Sequence, residues 1–331
     1  MKRRQFILSL AGTAAAGLTG WQLARLMKTP GLEKVSQSGW RLGTNISMTV
    51  FHDRPGEAEK AIAEAFAELD RVEDVMSLYR PESQLSRLNR QGHLDNPHPW
   101  LGEVLIEARK LSIATEGVFD VTVQPLWTLH HSHSRTGTTA TEEEIRSALA
   151  NVNWRNVEVT GARITLQRGT EITLNGIAQG FAADVVARIF NARGIKHALI
   201  DTGEINTVGS HAEKDAWSIG IKHPRIQQEF LGLAALNGRC MATSGDYETR
   251  FSDDYSRHHL LDPRTGLSSN RFSSVSVVAK TALQADALST AVFLLGPDEG
   301  RRLIESTDGA DALFVCKAGQ ASRTSGFPLI S

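Results

Sequence analysis

The sequence predicts an α+β protein. Three observations predict it: apolar residues recur at helical spacing in long stretches, short β-like runs lie between those stretches, and in the last third several such runs follow one another before the next helix. With 331 residues the chain is long enough for a well-buried core in one large domain or two modest ones.

The elements justify themselves in chain order. "MKRRQFILSLAGTAAAGLTG" sets Arg3 and Arg4 before Phe6 and a mildly apolar run broken by Gly12, Gly17 and Gly20. That run is too short and too weakly apolar for a comfortable membrane span, so residues 1–30 read as a twin-arginine export signal with the periplasm as destination. If the signal is not removed, the protein stays at the inner membrane. No cysteine precedes Cys240, so a lipid anchor on an N-terminal Cys is not expected. "RLGTNISMTVFH" alternates like a half-buried strand, and Pro55 opens a helix on which Ala61, Ala65, Leu69, Val72 and Met76 share a face. A second helix covers residues 100–116 and closes at Gly117. Residues 130–140, "HHSHSRTGTTA", are polar without periodicity and read as a surface loop, so His130, His131 and His133 are better explained as loop residues than as transition-metal ligands.

Short strands are expected at 157–161, 163–167 and 171–175, then a helix over 176–194 ended by Gly194 and a strand at 197–201, which gives this region βαβ character. The last third predicts strands at 217–222, 231–236, 239–244 and 273–279, a helix over 282–296 stopped by Gly296-Pro297, and a final strand at 311–315. No internal repeat or linker divides residues 40–331.

Charge narrows the partners. Against 37 Asp+Glu stand 36 Lys+Arg, a net charge of -1, so no general nucleic-acid affinity through phosphate neutralisation is expected. Cys240 and Cys316 fit no metal spacing and read as buried thiols.

Four stretches carry chemistry. In "ITLNGIAQGFAAD", Gly176 and Gly180 sit where a strand gives way to a helix, a place suited either to close approach of an anionic ligand or to tight packing. In "QADALSTAV", Asp286 and Thr290 are one helical turn apart, two hard oxygen donors on one face that suit Mg²⁺, or else a solvated Asp and a Thr bonded back to its own helix. "MATSGDYE" packs Thr243, Ser244, Gly245 and Asp246 into a donor-rich turn before Tyr247. In "HHLLDPRTG", a turn at Asp262-Pro263 and Gly266 follows His258, His259 and the strand-like pair Leu260 and Leu261, whose backbone suits the edge of a flat heterocycle.

Together with "LGTNISMTV", "MSLYRPESQLSRLN" and "GVFDVTVQPLW", these stretches resemble, in order and over nearly everything after residue 40, the FAD:protein FMN transferases, the ApbE-type flavin transferases. "NGIAQG", "IDTGEI" and the twin-arginine pair look more like the branch associated with nitrous-oxide reductase maturation. The resemblance implies mixed or antiparallel sheets with packed helices, and an FAD site between two sub-lobes. It implies a reaction in which FAD and Mg²⁺ bind, a Ser or Thr hydroxyl of an acceptor flavoprotein attacks the FMN-side phosphorus, and AMP leaves. It also implies roles by position. Asp286, Thr290 and the Gly176 carbonyl would hold the metal, with Ser289 nearby. Tyr79, Val118, Phe119, Asp120, the segment from Thr173 to Gln179, and Leu261 would contact FAD, and His259 would lie near the phosphates or the incoming hydroxyl. The acceptor implied is a membrane-bound respiratory flavoprotein bearing a Ser/Thr-Gly-Ala-Ser/Thr-like motif.

The sequence departs from the family at Thr173 in place of an Asp, Gln179 in place of a Lys, Leu42 in place of a Met, and the Gly203–Ile205 stretch in place of a second glycine. Loss of the Lys shifts the expected phosphate contacts to Arg264 or Lys222. Competing expectations are hydrolysis of FAD to FMN and AMP at the same site, a non-catalytic periplasmic flavin carrier or maturation chaperone, and an exported solute-binding protein; the last is disfavoured because no two matching α/β lobes are present.

Overall fold

A computed structural model of the protein describes residues 31–330. The export signal expected over residues 1–30 lies outside them. From the N-terminal side, β1 (Glu33–Arg41) and β2 (Thr44–His52) make a hairpin turned at Leu42 and Gly43, and α1 (Pro55–Met76) lies beside it. There follow α2 (Gln84–Gln91), β3 (His93–Asp95), α3 (Pro99–Ala114), α4 (Gln124–Thr136), α5 (Glu142–Leu149), β4 (Val157–Val159) and β5 (Arg163–Leu166). Next are α6 (Ala178–Ala192), β6 (Ala198–Asp201), β7 (Ile205–Val208), β8 (Trp217–Lys222), β9 (Phe230–Leu236), β10 (Cys240–Gly245) and β11 (Phe272–Ala279). The chain finishes with α7 (Ala282–Leu295), α8 (Pro297–Ser306), β12 (Asp311–Cys316), β13 (Ala321–Arg323) and β14 (Leu329–Ile330).

The main sheet has eight strands in the order β1-β2-β6-β7-β10-β11-β12-β13, and two three-stranded sheets, β14-β9-β8 and β3-β5-β4, accompany it. Every strand pair among the described residues is antiparallel. The α+β class holds, whereas the βαβ character expected near residue 180 does not. β6 pairs antiparallel with β2, and residues 171–175 form no strand. Their alternation is real, with Ile172 and Leu174 buried. A side chain supplies the partner instead: the Asn89 amide donates to the Ile172 carbonyl (2.8 Å) and accepts from the Ile172 N–H (2.9 Å). The Thr173 N–H reaches the Val121 carbonyl at 2.8 Å.

Two other expectations change, and the helix stop at Gly296-Pro297 holds with an addition. Residues 130–136 continue a helix, α4, because His130 completes its inner face: it is buried, its Nε2 lies 2.7 Å from the Gly266 carbonyl, and His131 stacks on Trp127. No group of three or more His, Cys, Asp or Glu suited to a metal occurs among the described residues. Pro297 stops α7 but occupies the first turn of α8, where a missing N–H costs nothing. The strand expected from residue 41 is split by the turn, Leu42 taking a left-handed φ of 54° while its N–H donates to Glu73. The sequence pattern also did not reveal β1, α2 or α5.

Burial follows the predicted periodicities. α1 turns Ala58, Ala61, Ile62, Ala65, Leu69, Val72, Val75 and Met76 inward, onto α6 and the first hairpin. α7 is buried on nearly every side because it is apolar on nearly every side, set between α6, α8, β10 and β11. Of its polar residues, Asp286 and Ser289 are as buried as their apolar neighbours. Cys240 is buried, Cys316 half-buried, and both are free thiols.

Candidate active site

The two helices that carry Gly180 and Asp286 are locked together by close approach. A Cβ on Gly180 would lie 2.2 Å from the Ala282 carbonyl oxygen and 2.8 Å from the Asp286 Cβ, so only glycine lets α6 reach α7 here. A second tie comes from Asp184, one turn along α6. Its carboxylate accepts from the Ala282 and Leu283 N–H groups and from the Asn206 amide, and so satisfies donors left open at the start of α7.

Asp286 is treated differently. It is 5% exposed, yet only its Oδ2 has a protein donor, the Gly180 N–H at 3.0 Å. Burial, opposed by that hydrogen bond and reinforced by Asp184, pushes its pKa up to about 7. Thr290 stands one turn further along the helix. A Cβ on Gly176 would meet the Thr290 Oγ1 at 3.0 Å, so the backbone of the loop before α6 lies directly against that hydroxyl. From β10, the Ser244 Oγ lies 3.2 Å from Thr290 Oγ1 and 2.7 Å from Ser289 Oγ. Asp286, Thr290, Ser289 and Gly176, predicted from two separate stretches, are thus brought together, and Ser244 joins them from a third.

The turn between β6 and β7 closes the same site. Thr202 Oγ1 donates to the Gln179 carbonyl at 2.9 Å, and the Gln179 amide lies over Gly203. Glu204 follows, its Oε2 accepting from the Thr243 N–H at 3.3 Å. Part of its surface stays open, but the protein around it is dense; burial first and the Asp286 carboxylate next raise its pKa well above the usual carboxylate range. Glu204 and Asp184 were not singled out from the sequence. Asp184 was legible as the lone carboxylate of its helix, one turn after Gly180 in an apolar stretch.

Residues 171–175 lead from this cluster to a cleft of about 410 Å³ lined by Tyr79, Asn89, Arg90, Trp127, Glu171 and Asn175. Tyr79 is 76% exposed there. The Val118–Asp120 turn lies alongside, joined through the Val121–Thr173 hydrogen bond. Val118 and Phe119 bury their side chains in the core. The Asp120 carboxylate is engaged by the Thr122 N–H and hydroxyl and by the Trp154 N–H. Burial raises its pKa against those hydrogen bonds.

In the loop over 258–266 the two histidines divide their work. His258 is fully buried, Nε2 lying 2.9 Å from the Ser269 carbonyl and Nδ1 accepting from the Leu260 N–H. His259 is only partly covered, although the protein around it excludes enough water to push its pKa down to about 4. Its Nδ1 lies 3.3 Å from the Thr249 carbonyl and must carry the proton, which leaves Nε2 as an acceptor at neutral pH. Leu261 opposes Ser268 across hydrogen bonds made by their neighbours, so its own N–H and carbonyl point to the opposite edge. Of the two cations expected to replace the family's Lys, Arg264 is held by both oxygens of Asp262, whereas Lys222 lies near enough to Asp201 to lower that group's pKa against the larger effect of burial.

The chain is similar to known proteins in sequence and in fold. Over 302 residues the chain is 32% identical to the FAD:protein FMN transferase of Vibrio cholerae, covering 86% of this chain and 89% of the relative. It is 30% identical over 299 residues to that of Klebsiella pneumoniae, covering 85% and 89%. Among solved structures, the flavin transferase ApbE from Vibrio cholerae matches with a TM-score of 0.79 at 29% identity, over 90% of this chain and all (100%) of that one. The ApbE protein from Thermotoga maritima matches at 0.80 and 27%, over 88% and 97%. Residues 42–314 match the ApbE family model. That span runs from the turn after β1 into β12 and takes in every residue of the site, and the chain therefore belongs to the ApbE family.

Proposed function

We propose that the protein is an FAD:protein FMN transferase that uses Mg²⁺. The observation that carries the reading is the convergence of Asp286, Thr290 and the Gly176 backbone, with Asn175, the residue before Gly176, lining a cleft that bears Tyr79 and Trp127. Hard oxygen donors, one of them a buried carboxylate with a free oxygen, fit a small divalent cation, and an open aromatic-lined cleft fits a flavin nucleotide. Asp286, Thr290 and the Gly176 carbonyl would hold the cation, which when bound polarises the pyrophosphate and offsets charge on the departing AMP.

In the reaction, a Ser or Thr hydroxyl of the acceptor forms a bond to the FMN-side phosphorus, the bond from that phosphorus to the AMP oxygen breaks, and the hydroxyl proton leaves. His259, neutral with Nε2 free, is suited to accept that proton. The Leu261 N–H and carbonyl are suited to the edge of a bound ring. The chain's Arg3 and Arg4 support a periplasmic address and, with "IDTGEI", an acceptor that is a membrane-bound respiratory flavoprotein.

Intact-mass spectrometry of a candidate acceptor domain after incubation with the enzyme, FAD and Mg²⁺ tests the reading. A gain of one FMN, lost with EDTA and lost in Asp286→Asn, is expected. Release of AMP with no gain in mass would replace transfer by hydrolysis, and neither product would leave a flavin carrier.

A further inference from the structure

We propose that Glu204 is a second carboxylate ligand of the divalent cation held by Asp286 and Thr290. The inference rests on the metal site argued above and adds to it a residue from a different element.

Position comes first. β7 pairs with β10 only at Ile205–Met241 and Asn206–Cys240, and the ladder then stops. Where the next backbone rung would be, the Glu204 carboxylate takes the Thr243 N–H instead. Its side chain is therefore turned between the two strands, beside the residue that precedes Ser244, whose hydroxyl touches both Ser289 and Thr290. On the other side, the turn that carries Glu204 is tied to Gln179, the neighbour of the glycine that donates to Asp286.

Partners come second, and the contrast with Asp184 is informative. Asp184 has three donors and a structural task. Glu204 has one long hydrogen bond, Asp286 has one, and no ion pair engages either among the described residues. The charged groups that act on Glu204 are the carboxylates of Asp286, Asp201 and Glu248. Two under-partnered carboxylates brought into one site by the Thr243–Ser244 strand and the Gln179–Gly180 turn repel, and a hard divalent cation with oxygen ligands is the partner that reverses the sign. The metal would then be gripped from helix α7 and from the sheet at once.

Mn²⁺ titrations of the purified protein, followed by electron paramagnetic resonance of the free ion, test this. Glu204→Gln keeps the shape and the Thr243 bond, and is expected to weaken Mn²⁺ binding about 10- to 100-fold. Its melting temperature in EDTA should stay at or above that of the parent, because the repulsion is gone. Glu204→Asp keeps the charge but withdraws the oxygens, and should weaken binding as well. Glu248→Gln removes a more distant charge and should change affinity less than about twofold. Mn²⁺ affinity within about twofold of the parent in Glu204→Gln, or equal weakening in Glu248→Gln, overturns the assignment. Asp286→Asn separates the two readings: if it also leaves Mn²⁺ bound, the metal site itself is wrong, and if it alone abolishes binding, only the role of Glu204 fails.

Discussion

Replacing Gly180 with alanine sets two opposing effects against each other, and the structure decides between them. Inside a helix, Gly→Ala ordinarily stabilises by about 0.5–1 kcal/mol through backbone entropy. At Gly180 the added methyl would fall 2.2 Å from the Ala282 carbonyl oxygen, 2.6 Å from its carbon and 2.8 Å from the Asp286 Cβ. Two of these atoms are backbone, so no side chain can swing away, and α6 and α7 must part by about 1 Å. Overpacking of this kind costs about 1–3 kcal/mol. The same movement stretches the Gly180–Asp286 hydrogen bond, worth about 1.5–3 kcal/mol for a charged acceptor. After the helical gain, the net loss is about 1.5–5.5 kcal/mol if the hydrogen bond is lost altogether. Urea unfolding read at constant slope gives the change, with Gly102→Ala in α3 as control, since nothing lies within 4 Å of a Cβ there. The control should gain about 0.5–1 kcal/mol. Gly180→Ala as stable as the parent would refute the argument that helix approach is limited by this glycine.

Other expectations follow from the same accounting of partners. Asn89→Leu leaves the Ile172 N–H and carbonyl unpaired, should cost about 2 kcal/mol, and should speed hydrogen exchange at the Ile172 amide; unchanged exchange would mean that the Asn89 brace is dispensable. Arg225→Met removes the two-pronged partner of Asp246, which is fully buried, and leaves it Lys317 alone. A loss of about 3 kcal/mol is expected, and a loss under about 1 kcal/mol would show that Lys317 suffices. His258 is held by burial near a pKa of about 4 against an ordinary 6.5, so the unfolded chain binds its proton first. Its contribution of about 3 kcal/mol is complete above pH 6.5 and is lost as pH falls towards 4. Urea midpoints between pH 7 and 4.5 should fall in the parent and fall less steeply in His258→Asn, His259 supplying the remaining dependence; parallel slopes would reject the assignment.

Most of the secondary structure was legible because it was written in periodicity. α1, α6 and α7, and the strands of the last third, appear where apolar spacing placed them. The failures share a cause: the partner was a side chain, or a polar residue did an apolar residue's work. Residues 171–175 look like a strand in every local respect, and only Asn89, 83 positions away, takes the place of the neighbouring strand. α4 was hidden because His130 fills an inner position on the strength of a hydrogen bond to Gly266, which sequence spacing cannot display. In the site, Asp286, Thr290 and Gly176 were legible as motifs. Glu204 was visible only as an odd residue in a tight turn, because what marks it, the Thr243 N–H taken beside Ser244, comes from a strand 39 positions away.

The main sheet lists its strands in the order in which the chain makes them, from β1 to β13. Such a meander can lengthen any of its excursions without re-threading, since each leaves one strand and returns to the next. The helices and small sheet between β2 and β6, which supply Tyr79 and the cleft, form one such excursion, and the β8–β9 hairpin between β7 and β10 forms another. Changes of length can therefore accumulate in the earlier part of the first excursion and in the hairpin, while the last segment of that excursion, Gly176 and α6, stays bound to its close packing against Asp286 and Thr290 on α7.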